Sequence, residues 1–123
     1  MSLESMEPNP AWDAASHADA VDALSTPGLT VKVWGGDWCP DCRRLLPDLG
    51  AALDAADVPE ENVEAYPVDG DKEGELTDEY DVEYIPTVVV ERDGEELVRF
   101  VEDEGMAIPE YLAERLRELG VTA

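Results

Sequence analysis

The chain has 123 residues, of which 44% are hydrophobic, and carries 31 acidic against 8 basic side chains for a formal net charge of -23. That length suits one domain with a core of its own, and the absence of a basic patch excludes nucleic acid as a partner. No apolar run approaches the roughly 18 residues of a membrane span, so no membrane partner is expected. The N-terminus shows neither the basic segment nor the apolar stretch of an export signal, and a cytoplasmic protein is therefore expected. The acids are spread along every segment, and the apolar periodicity described next argues against disorder as their explanation.

The opening MSLESMEPNP is polar and unpatterned, which predicts a disordered tail over residues 1–8 followed by a single domain over 9–123. Asn9 can cap a helix whose first position is Pro10, with Trp12, Ala20, Val21 and Leu24 at helical spacing until Pro27-Gly28 ends it. His17 falls inside this helix and, with no partner at i±4, reads as a solvated residue. LTVKVW (29–34) is a strand that stops at Gly35-Gly36 and delivers the chain to Trp38-Cys39-Pro40-Asp41-Cys42. A second helix runs from Pro40 with Leu45, Leu46, Leu49 and Leu53 on one face, and Pro47 inside it should kink it. VEAYPV (63–68) is a strand that Pro67 demotes to an edge.

Leu76 and Tyr80 suggest a short helix over 74–81. PTVVVERDGEELVRFVE reads as a hairpin turning at Asp93-Gly94, where positive φ is cheap. A last helix starts near Pro109, shows Leu112, Leu116 and Leu119, and closes at Gly120. The first two strands, joined through a helix, should be parallel neighbours, and the last two antiparallel, in a mixed four-stranded sheet covered by helices.

Cys39 and Cys42 are the only cysteines, and three uses for them are open. As a structural disulfide the pair would close a loop so small that about 2 kcal/mol is all it could contribute. As a metal site it is the weaker reading, since about four ligands are wanted, His17 is the only imidazole and carboxylates would have to complete the set. Redox exchange is the favoured reading, because a lone C-x-x-C beside a βαβ pattern suits a couple that opens and closes.

The joint spacing of these features resembles the thioredoxin superfamily over residues 29–119. The matching parts are the strand before Trp38-Cys39-Pro40-Asp41-Cys42, Pro47 beyond it, Ile85-Pro86-Thr87, the Asp-Gly hairpin and the terminal helix. The resemblance implies an α/β, thioredoxin-like three-layer fold with a central mixed four-stranded sheet flanked by helices. It implies a thiol-disulfide oxidoreductase, thioredoxin-like or glutaredoxin-like, that needs no cofactor or metal. Disulfides of protein or small-molecule substrates would be reduced through a Cys39/Cys42 cycle, with a reductase as electron donor and a monomer as the working form. The acidic composition is similar to that of proteins from salt-loving microorganisms, where salt screens self-repulsion.

Within that resemblance Cys39 is the nucleophile, its anion favoured by the helix N-terminus, and Cys42 resolves the mixed disulfide. Pro40 offers no amide, so donors must come from residue 41 onward. Asp41 opposes a second negative charge unless Arg43 or Arg44 offsets it, and Asp41 or a water is the candidate base for Cys42. Trp38 is either a flat apolar contact for substrate or core filler. The family's proline at Pro86 is cis and packs on the sulfurs; Ile85 would present its backbone to substrate, and Thr87 either joins that contact or begins the strand.

Two departures stand out. Proline takes the first inner motif place, as in glutaredoxins. The buried carboxylate that thioredoxins hold beneath the motif would align with Val33, and its lysine partner near Ala65, so a proton relay does not transfer. The alternative reading is a thioredoxin-fold binding module, docking a protein or metal without redox turnover.

Overall fold

The computed structural model describes residues 4–69, 74, 76–102 and 104–120. Helix α1 (Ala18–Leu24) precedes β1 (Leu29–Gly35), whose β-branched and apolar residues suit a pleated, packed surface. The strand leads into α2 (Pro40–Ala55), which buries Leu45, Leu46, Leu49 and Leu53 together with Cys42 and runs through Pro47. β2 (Val63–Pro67), β3 (Thr87–Arg92), β4 (Glu95–Val101) and α3 (Ile108–Glu118) follow. The sheet order is β2-β1-β3-β4, with β1 parallel to β2 and antiparallel to β3, and β3 antiparallel to β4. Pro67 therefore lies on an edge strand, as its missing N–H requires. Asp93 and Gly94 turn the hairpin with φ of 54° and 80°.

Strand alternation gives the sheet two unlike faces. Val31, Val33, Val88, Val90, Val98 and Phe100 fall on one, all buried. The edge-on contact between Phe100 and Tyr111 seats α3 there, and α1, α2 and α3 pack against one another over that core. The other face carries Trp34, fully buried between Tyr66 and Tyr80 at ring separations of 5.1 and 5.0 Å. Beside it Lys32 reaches Glu64 at 2.6 Å and Glu91 at 3.7 Å, while Tyr80 donates to Glu91 at 2.8 Å. Burial works to lower the Lys32 pKa, but its hydrogen bond to Glu64 and the surrounding charges hold it above the ordinary lysine range.

Lys32 is the cation that lets two carboxylates share this face. Lys32→Met should cost about 2 kcal/mol, because it leaves Glu64 and the largely buried Glu91 without their counter-charge; urea unfolding measures it, and an unchanged midpoint would contradict the assignment.

Several expectations are corrected. The first helix does not start at Asn9. Asn9 turns the chain locally, its side chain accepting from the Ala11 amide at 3.0 Å, and gives its own N–H to Pro47. Asp13 instead caps a 3-10 turn, Ala14–His17, that leads into α1. The helix expected over 74–81 is, among the described residues, a set of turns over 76–81; Leu76 and Asp81 at φ of 64° and 52° break the right-handed run. Leu119 is exposed, outside the apolar stripe of α3. His17 is no solvated bystander: its ring stacks on Trp12 at 4.7 Å and its Nδ1 pairs with Glu110 of α3. Ser5 is buried and Met6 packs against the core, within the stretch expected as a tail.

Candidate active site

The paired register of Trp34 with Tyr66 and Thr87 sets the end of β1, the end of β2 and the start of β3 side by side. At that end the chain leaves β1 through a tight turn, in which the Cys39 amide donates to the Gly36 carbonyl at 3.0 Å. Cys39 then caps α2: its Sγ accepts the Cys42 amide at 3.5 Å, one of the helix-end donors left beyond Pro40, which has none. The sulfur thus sits at the positive end of a 16-residue helix. Both cysteines are free thiols; Cys39 keeps 8% of its surface exposed and Cys42 none.

Burial, first of all, pushes the Cys42 thiol up to about 12; the hydrogen bond and charge of Cys39 and the charge of Asp41 add to this, and a backbone hydrogen bond from Gly36 works against it. Cys42 therefore holds its proton at neutral pH. Linkage turns this into a stability effect. The raised folded value means that the contribution is fully present below the unfolded thiol pKa of about 8.5. It is lost as pH rises toward about 12. Reduced wild-type protein should lose more stability than Cys42→Ala over that window in chemical unfolding, and parallel pH curves would refute the shift.

Asp41 pairs with Arg44 at 3.3 Å, so of the two arginines considered Arg44 is the one that offsets it. Trp38 is not core filler: half of its surface is exposed, and its indole N–H donates to the Val68 carbonyl at 3.1 Å. The ring lies across Gly36, where an added Cβ would come within 2.4 Å of Nε1. On the β3 side the Ile85-Pro86 peptide is cis. Ile85 and Thr87 are buried, and the Thr87 hydroxyl donates to the Tyr84 carbonyl, so Thr87 both starts the strand and fixes the loop before it. Tyr84 was not anticipated from the sequence. It is 48% exposed beside Ile85, as Trp38 is beside Cys39; a large aromatic just ahead of Ile-Pro-Thr was the available signal.

The family model described as Thioredoxin matches residues 12–114. The chain belongs to the thioredoxin family. Thioredoxin of Chlamydia trachomatis is 33% identical to it over 86 residues, covering 70% of this chain and 79% of that protein. Among solved structures, the germline-specific thioredoxin Deadhead of Drosophila melanogaster superposes with a TM-score of 0.52 at 23% identity, covering 85% of this chain and 90% of that one. A mutant thioredoxin from Halobacterium salinarum gives 0.51 at 20% identity, covering 96% and 94%. These two similarities bear on the fold. Thioredoxin-family membership makes the chain a disulfide oxidoreductase in general terms, and Pro40 and Val33 mark where it departs from the family pattern.

Proposed function

We propose that the protein reduces disulfides of protein or small-molecule substrates by a Cys39/Cys42 dithiol cycle. The observation that carries this reading is the Cys39 sulfur at the tip of α2, accepting the Cys42 amide, one turn from a second thiol that is wholly buried. The Cys39 thiolate attacks one substrate sulfur; the substrate disulfide breaks and its other sulfur leaves as thiolate, taking a proton from solvent. Cys42 then gives up its proton to water and attacks Cys39. The new Cys39–Cys42 bond forms as the mixed disulfide breaks, and the second substrate sulfur leaves. The substrate has gained two electrons and two protons, which a reductase returns to the pair.

Trp38 and Tyr84, both exposed, give the substrate its apolar contact, and the Ile85-Pro86 backbone is offered to it. Pro40 and Asp41 tune the pair from inside the motif. We place the protein as a monomer in a salt-rich cytoplasm, a setting that its formal net charge of -23 supports. The binding-module reading is not favoured by the thioredoxin matches. Insulin reduction by dithiothreitol is the test: catalytic amounts of the protein should accelerate it, and a rate no greater than that of dithiothreitol alone would reject the proposal.

A further inference from the structure

We propose that residues 5–9 form a strap that holds the active-site turn in place, with Ser5 as a positioning residue acting through Asp37; this rests on the redox reading above. The strap runs along α2 and is anchored at three points. At one end the Ser5 amide and hydroxyl both donate to Asp37 Oδ1, at 2.9 and 2.8 Å. In the middle the Met6 carbonyl lies against the helix at Gly50, so closely that a Cβ there would stand 1.9 Å from its oxygen. At the other end the Asn9 amide donates to the Pro47 carbonyl at 3.1 Å and its side-chain amide to Asp48 at 2.9 Å.

Asp37 is a central residue of the Gly36–Cys39 turn, with Trp38 the other. Fixing its carboxylate therefore fixes the backbone that presents both the indole and the nucleophilic sulfur. The strap lies outside the family match, which begins at residue 12. Gly50 otherwise has little reason to sit in the middle of a helix, where alanine would be favoured by roughly 1 kcal/mol; the passage of the strap supplies the reason.

The test uses the full chain. Ser5→Ala and Asp37→Ala should each lower kcat/KM for insulin reduction by about threefold or more, as loss of preorganisation does. The double variant should be no slower than the worse single one, since both break the same contact. Asp37→Asn, which keeps Oδ1 as acceptor, should restore most of the rate, a recovery that a role in charge alone would not give. Gly50→Ala, which displaces the strap without touching the turn, should match Ser5→Ala while the helix content by circular dichroism is kept. Hydrogen exchange at the Cys39 amide reports the turn directly and should speed up in Ser5→Ala, Asp37→Ala and Gly50→Ala alike.

Wild-type exchange and kcat/KM in Ser5→Ala and Gly50→Ala would overturn the proposal, as would additive losses in the double variant. Should the wild type itself fail to reduce insulin, the redox reading falls, and amide exchange alone decides the strap.

Discussion

Replacing Cys39 by serine should abolish insulin reduction, leaving only the rate of dithiothreitol itself, whereas replacing Cys42 should stop the cycle at its midpoint. The two thiols differ because their surroundings differ. Cys39 has the helix-end amide of Cys42 on its sulfur and some access to solvent; Cys42 has neither, and burial keeps it protonated. In the proposed cycle the first therefore begins the reaction. The second acts once Cys39 is tied up in the mixed disulfide, when the hydrogen bond and charge of Cys39, two lesser causes of its raised pKa, are gone while burial remains. Cys42→Ser should therefore still attack substrate once, accumulate a mixed disulfide visible by mass spectrometry, and turn over on the order of 100-fold more slowly or worse. A Cys42→Ser protein that releases product at the wild-type rate would show that resolution does not pass through Cys42.

Val33→Asp should be among the most damaging single changes in the chain. Val33 is fully buried on the helix-covered face of the sheet, and its neighbour across the parallel pair is Ala65. The resemblance to thioredoxins places a carboxylate at the first position and a lysine near the second, but here the pair is apolar, so an acid at Val33 would find no lysine at Ala65. Burial of an uncompensated carboxylate costs on the order of 4 kcal/mol, a large part of the stability of a small domain. Burial also raises the folded-state pKa of such a carboxyl, so the penalty is smallest below about pH 4 and complete above that folded value. Urea unfolding at pH 7 should show the loss, and Val33→Asp with Ala65→Lys should recover part of it. A single variant as stable as wild type would mean that the site is wetter than its burial indicates.

Much of the fold was legible because it is written in local patterns. The β-branched run at 29–34, the leucine stripe of α2 and the Asp-Gly hairpin each specify their element through short-range sterics. The edge position of β2 follows from one missing N–H in Pro67. The expected helices that failed did so where distant residues intervened. Asn9 looked like a cap, yet its amide goes to Pro47 of α2, leaving Asp13 to begin the helical turn. Leu76 and Tyr80 have helical spacing, but Tyr80 is held on Trp34 and Glu91, across the sheet.

The sequence by itself determined the arrangement on which the proposed chemistry rests: two thiols at the front of a helix whose first amide proline has removed, followed by the proline of Ile85-Pro86-Thr87 in the order that marks the family. These are properties of spacing and of residue type, and they survive without knowledge of any long-range contact. Only the tertiary structure decided what surrounds them. It gave His17 its partner Glu110 and laid Ser5 on Asp37, because each of these contacts joins residues far apart in the chain. Pairings of that kind depend on how the sheet and helices close on one another, and no local pattern encodes them.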